Sequence, residues 1–222
     1  MRIVIAGGHG KIALRLERLL AERGDSPVGL IRNPDHADDV RAAGAEPVVI
    51  DLEDTTATRL TEKVMGADAV VFAAGAGPGS GAARKTTVDR DAAALLADAA
   101  SLAGVRRYVM VSAIAADEGP PPGSDPVFAA YIEAKRAADD DLRGRSLETD
   151  WTILRPGRLT DDPGTGRVRL APKVERGEVT RQDVAAVVAA VIDEPATIGQ
   201  VLELVGGPTP IDEAMASVRN RP

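Results

Sequence analysis

The chain contains no cysteine, and that absence removes disulfide frameworks, thiolate nucleophiles and cysteine-type metal sites together. Histidine is scarce as well: His9 and His36 are the only two, and they form no metal-ligand spacing. Aromatic residues make up 2% of the 222 positions, as two Tyr, two Phe and one Trp, within a composition that is 44% hydrophobic. Ala, Val, Leu and Ile must therefore fill the core. Basic residues are outnumbered, 27 Lys and Arg against 34 Asp and Glu, for a net charge of −7. Such a chain has neither the basic face nor the stacking platform of a nucleic-acid binder. No apolar run approaches the length of a membrane span, and Met1-Arg2 leads straight into an apolar segment with no room for a signal peptide. The expectation is a soluble, cytoplasmic protein whose partner is a small molecule, as a monomer or small homo-oligomer. The length fits one domain, residues 1–222, with a full core and a small appended lobe.

What the chain does have is a regular alternation of short apolar runs with helical spacing, the pattern of a parallel sheet covered on both faces. Strands are expected near 2–6, 27–31, 46–50, 69–74, 107–112, 151–155 and 201–205. Helices are expected near 10–23, 35–43, 57–65, 86–103, 126–143 and 181–193, with a short last one after Pro210. Asp125-Pro126 reads as an N-cap with proline at the first helical position, and Thr180 with Asp183 three residues later resembles a capping box. Asp139-Asp140-Asp141 reads as a solvated helix end. Right-handed crossovers then give an α/β fold, a Rossmann-type doubly wound parallel sheet with a small C-terminal substrate lobe, and ligands at the carboxyl ends of the strands.

The first strand, Ile3-Val4-Ile5-Ala6, runs into Gly7-Gly8-His9-Gly10-Lys11-Ile12-Ala13. A strand, a tight glycine turn and a helix N-terminus form a site where unpaired N–H groups and the helix dipole accept a dinucleotide pyrophosphate. Gly7 permits the turn, Gly10 admits the phosphate to the backbone, Lys11 and Ile12 open the helix, and Ala13 allows close packing. The spacing is G-x-x-G-x-x-A. A P-loop is excluded because Ile5 replaces its first glycine and Ile12 its magnesium-binding hydroxyl. At the end of the second strand, Leu30-Ile31-Arg32-Asn33-Pro34 offers no carboxylate to an NAD ribose, while Arg32 offers a fork to the 2′-phosphate of NADP. NADP(H) is the expected cofactor, with NAD(H) possible. Asp51 and Leu52 are placed to border the adenine, and Ala73-Ala74-Gly75 to pass close under its ribose.

Ser112 ends the fifth strand, and Tyr131 and Lys135 follow on one helix face, four residues apart. A cation near a phenol favours its ionised form and brings its pKa toward the working range. In carbonyl reduction Tyr131 would give the proton and Ser112 would polarise the carbonyl. A structural or cofactor-anchoring pair is the competing reading.

Gly7–Ala13, Val109-Met110-Val111-Ser112-Ala113, Tyr131-Ile132-Glu133-Ala134-Lys135 and Thr152-Ile153-Leu154-Arg155-Pro156-Gly157 together resemble the atypical short-chain dehydrogenase/reductases. The nearest subgroup holds NAD(P)H-binding proteins similar to flavin and biliverdin reductases and to nitrogen-metabolite-repression regulators. The resemblance implies that Gly7, Gly10 and Ala13 form the pyrophosphate loop, that Ser112, Tyr131 and Lys135 are catalytic, and that backbone after Pro156 faces the nicotinamide carboxamide. It also places Asp89 about where related enzymes keep a proton-relay residue, although a carboxylate in a first helical turn is favourable in any case. The substrate wall is expected mainly from 157–180, whose Arg167, Arg169, Lys173 and Arg176 read either as steering groups for an anion or as a solvated basic surface. The expected activity is NADPH-dependent hydride transfer to a small carbonyl, quinone or flavin-like acceptor. The alternatives are a non-catalytic NADP(H)-binding regulator and, less favoured at this length, a sugar-nucleotide epimerase or dehydratase.

Overall fold

The structure, a computed structural model, describes residues 1–77, 79–145 and 149–220. Apolar strands and amphipathic helices alternate from the start: β1 (Arg2–Ala6), α1 (Ala13–Glu22), β2 (Ser26–Ile31), α2 (Ala37–Ala42), β3 (Glu46–Val49), α3 (Ala57–Val64) and β4 (Ala69–Phe72). A composite helix follows, made of α4 (Ala82–Arg84), a π-helical stretch (Lys85–Asp91) and α5 (Ala92–Leu102). Then come β5 (Arg107–Val111), α6 (Pro126–Gly144), β6 (Asp150–Pro156), β7 (Arg158–Thr160), β8 (Arg167–Ala171) and β9 (Glu178–Thr180). The chain closes with α7 (Arg181–Ile192), β10 (Gln200–Gly206), β11 (Thr209–Pro210) and α8 (Ile211–Arg219).

Seven strands run parallel in the order β3-β2-β1-β4-β5-β6-β10, and β8 and then β11 extend the β10 edge antiparallel. The order reverses between β1 and β4, which opens a crevice at their carboxyl ends. The pleat sends Ile3 and Ile5 to the face covered by α1, α7 and α8, with Leu16, Leu20 and Val188 in that layer. Val4 and Ala6 meet the opposite layer, where Leu60, Leu96 and Leu142 come from α3, α5 and α6.

The seven expected parallel strands are all present, shifted by at most two residues at an end. The helix expected at 10–23 begins at Ala13, because Gly10-Lys11-Ile12 remain in the turn. Asp125 caps α6 by accepting from Val127 and Phe128 N–H, and Thr180 caps α7 by accepting from Asp183 N–H. The acidic run corrects its sequence reading. Asp139 is not solvated: it is 0% exposed and accepts from Arg155 Nε at 2.9 Å. The basic segment is partly tied up as well, since Lys173 and Arg176 both pair with Glu118 and Arg167 bonds the Pro208 carbonyl.

One core group stands against the pattern. Glu17 of α1 is 0% exposed, and neither carboxylate oxygen has a hydrogen-bond partner among the described residues. Its Oε1 fills the space a side chain would need at Gly29, where a Cβ would lie 2.6 Å away. Burial pushes its pKa up to about 8 from 4.5. The folded chain therefore keeps this proton where the unfolded chain releases it, so its contribution to stability is lost as pH rises from the ordinary carboxylate range toward 8. Glu17→Gln is expected to raise stability by on the order of 1–3 kcal/mol at neutral pH and by almost nothing near pH 4. Denaturant unfolding at the two pH values checks it; an equal change at both would place the cause in packing.

Candidate active site

After Ala6 the chain turns through Gly7 at a φ of +81°, and a Cβ there would lie 2.6 Å from Cα of Ala74. The next residue presses on the other neighbour, since a Cβ on Gly8 would lie 2.6 Å from Cα of Gly29. The loop thus lies flat between the ends of β4 and β2. Gly10 N–H donates to the Gly7 carbonyl at 2.7 Å, and its own missing Cβ would crowd that carbonyl at 3.0 Å. A backbone cradle of this shape, directly ahead of α1, fits a pyrophosphate.

One cleft runs from this loop over the ends of β2, β3 and β4, and its walls include Gly7, Gly10, Arg32, Asp51, Leu52, Ala73, Ala74 and Gly75. Gly7 and Gly10 are the residues expected at the pyrophosphate, and the others those expected at the adenosine. Lys11 is not brought there by its side chain, which reaches Asp161 at 2.5 Å. Glu53 escaped the sequence reading. Its carboxylate stands in the cleft, accepting from Arg32 Nη1 at 3.1 Å, Arg84 Nη2 at 2.5 Å and Thr87 Oγ1 at 2.6 Å. The Arg84 hydrogen bond leads in holding its carboxyl below the ordinary range. So a carboxylate does lie beside Arg32, delivered from beyond β3 rather than from the end of β2. The two histidines also meet here, rings stacked at 3.6 Å, with His9 Nε2 2.8 Å from Asp39 Oδ2.

Past Gly75 the cleft continues into a cavity walled by Ile12, Ser112, Tyr131 and Lys135, with Lys85 and Asp89. A neighbouring cavity shares Ser112 and Tyr131 and extends to Pro156, Gly157, Arg176 and Arg181. The Ser/Tyr/Lys group is therefore brought together by β5 and α6. Lys135 is buried, donating to the Val111 carbonyl at 3.1 Å and lying 3.3 Å from Asp89 Oδ1. Asp89 in turn accepts from Ala76 N–H at 3.2 Å, and a Cβ on Gly75 would crowd its other oxygen. Lys135 Nζ is 5.9 Å from the Tyr131 ring centroid.

The electrostatics differ from the simple expectation. Burial pushes the Tyr131 phenol above its ordinary value, with Lys135 opposing and Asp89 and Asp139 reinforcing the rise. Lys135 also pairs with Asp89 at 3.3 Å, and its pull on the phenol does not outweigh burial. The neutral phenol that results is the form a proton donor needs. Ser112 Oγ lies close enough to draw down the Asp139 carboxyl, which burial raises, yet its orientation completes no hydrogen bond among the described residues. Ala115, on the wall of the second cavity, adopts a left-handed φ of +59° that non-glycine residues rarely take.

The described residues contain no cluster suited to a metal ion and no helix long and apolar enough to cross a membrane. A family model described as NAD(P)H-binding matches residues 7–195. An uncharacterized sugar epimerase of Bacillus subtilis is 36% identical over 216 residues, covering 97% of this chain and 99% of its own. A UPF0659 protein of Saccharomyces cerevisiae is 32% identical over 227 residues, 98% and 99% of the two chains. Among solved structures, a Bacillus halodurans protein provisionally described as an NAD-dependent epimerase/dehydratase superposes with a TM-score of 0.88 at 35% identity, over 98% of this chain and 99% of that one. An oxidoreductase of Lactococcus lactis superposes with a TM-score of 0.87 at 27% identity, over 100% and 98%. With the glycine cradle, the cleft and these matches along nearly its whole length, the chain belongs to the NAD(P)H-binding family.

Proposed function

We propose that the protein is an NADPH-dependent oxidoreductase that reduces a small carbonyl, quinone or flavin-like acceptor. The observation that carries this reading is the position of Tyr131, on the wall of both the cavity that continues the dinucleotide cleft and the cavity beyond it. The bound cofactor supplies hydride. Tyr131 gives the proton to the acceptor oxygen, Ser112 donates to that oxygen as charge develops, and Lys135 fixes the Tyr131 turn of α6 against β5. In this reading 157–180 contributes the outer substrate wall, joined by residues from the β5–α6 connection and α6. The test is net oxidation of NADPH by the purified chain across a panel of carbonyls, quinones and flavins. Tight NADPH binding with no turnover of any acceptor would favour the regulator instead.

The descriptions of two relatives favour a second reading, an epimerase or dehydratase. Its dinucleotide would be reduced and reoxidised within one turnover, so no net NADPH would be consumed. Net oxidation separates the two.

The cofactor preference rests on Arg32 and Arg84, which both reach Glu53 in the cleft and would hold a 2′-phosphate there. NADPH is expected to bind more tightly than NADH, and Arg32→Ala to reduce that preference by about 1–3 kcal/mol, the scale of a charge-assisted hydrogen bond. Glu53→Gln is expected to act in the opposite direction, since it removes a competing carboxylate and frees both guanidinium groups. Calorimetric titration of the wild type and both variants measures this; equal wild-type affinities would remove the NADPH preference.

A further inference from the structure

Lys85 is buried at the cleft without an evident task. It is 9% exposed, and its Nζ donates to the Gly77 carbonyl at 2.9 Å and lies 5.5 Å from the centroid of the Tyr131 ring. Among the described residues no carboxylate pairs with it. Asp89, four residues on, is engaged by Lys135 and by the Ala76 N–H. A buried ammonium with only a carbonyl and a ring face for company is poorly compensated, because desolvation penalises a charge that lacks a counter-ion. Its surroundings point to where that counter-ion arrives. Lys85 lines the cavity that holds Tyr131 and not the adenosine cleft, and the same cavity has apolar walls from Ile12, Val111, Phe128 and Leu159.

We propose that Lys85 holds an anionic group of the acceptor, so that the substrate class is an oxo acid whose carboxylate lies close to its reducible carbonyl. This rests on the oxidoreductase reading above. In the reaction, hydride and its two electrons pass from NADPH to the carbonyl carbon, and the proton of Tyr131 passes to the oxygen. The products are a hydroxy acid and NADP⁺, and the phenol is reprotonated from solvent. The carboxylate stays on Lys85 throughout and changes no bond. Two cations then approach the Tyr131 ring, Lys135 at 5.9 Å and Lys85 at 5.5 Å from its centroid, and Lys85 is the one that serves the substrate.

The experiment compares benzoate with benzamide, which share a flat apolar body and differ in charge, by calorimetry on the full chain both alone and saturated with NADP⁺. Benzoate is expected to bind roughly tenfold more tightly or better, the scale of a hydrogen bond to a charged group. Lys85→Met is expected to abolish the difference and leave NADP⁺ affinity unchanged, while Lys85→Arg retains part of it. Lys85→Gln serves where the Met variant fails to fold. Equal binding of the two probes, no binding of either, or a preference that survives in Lys85→Met would overturn the proposal. So would a loss of NADP⁺ affinity in Lys85→Met with benzoate unaffected, which would assign the lysine to the cofactor. A benzoate preference that depends on Lys85, in a protein that transfers hydride from NADPH to none of the acceptors, would retain the anion site and retire the oxidoreductase reading.

Discussion

Tyr131→Phe lowers turnover of carbonyl acceptors by about 10²–10⁴-fold, the range for loss of a general acid, and leaves NADPH affinity and the unfolding midpoint near wild type. The substitution removes one oxygen and keeps the ring that Lys85 and Lys135 approach. Because burial holds the phenol above its ordinary pKa, Tyr131 stays protonated through neutral pH, and the wild-type reduction rate should show no phenol-linked fall there. Lys135→Ala produces a different pattern. It leaves Asp89 buried without its cation and removes the bond to the Val111 carbonyl, so stability falls together with turnover. For a quinone or flavin, water can supply the proton, and the effect of Tyr131→Phe is correspondingly small. Near-wild-type rates of Tyr131→Phe with every carbonyl acceptor would retire the Ser/Tyr/Lys mechanism and leave the dinucleotide site untouched.

Gly10→Val weakens NADPH binding by about 100-fold or more, as expected when several charge-assisted hydrogen bonds are lost together. The residue is not in the left-handed region, so a β-branched side chain meets no backbone prohibition. The conflict is spatial: a Cβ already lies 3.0 Å from the Gly7 carbonyl, and the two methyl groups beyond it would intrude on the cradle proposed for the phosphate. Circular dichroism should therefore report a folded chain that no longer binds. Gly7→Val differs, since it forces both an adverse φ and contact with the Ala74 backbone, and it should fail to fold normally. A folded Gly10→Val with unchanged NADPH affinity would show that the phosphate lies elsewhere.

The parallel sheet was legible because its inner strands, β1, β4 and β5 above all, are apolar runs buried on both faces, whereas edge strand β3 is only partly buried and leaves a weaker mark on composition. The glycine turn was legible because close backbone approach demands absent side chains. Strands β7, β8, β9 and β11 were not, for physical reasons. They are two to five residues long, and β8 alternates exposed arginines with buried Val168 and Leu170, a weak signal inside a segment rich in Pro, Gly and charge. Ser112, Tyr131 and Lys135 followed from chain order, since a strand end and the next helix lie on the same edge. Lys85, Glu53 and Asp139 were hidden because a charged residue looks the same in sequence whether solvent or a group distant along the chain, here a carbonyl or a guanidinium, receives it. Asp139 was findable in principle: it lies four residues beyond Lys135, on the face that already carried the catalytic pair.

The π-helical stretch sets a length rule for this molecule. A π-turn takes up about one residue more than an α-turn, so the stretch from Lys85 to Asp91 absorbs an extra residue while α4 and α5 keep their places. With one residue fewer the wide turn would close, and Lys85 and Asp89, which it carries, would shift against Tyr131 and Lys135. Gain or loss of a single codon there would re-aim Lys85 and Asp89 together, while Ser112 and Tyr131 stay where β5 and α6 hold them. Among descendants of one ancestor, a change in the length of this stretch should therefore accompany a change in acceptor range.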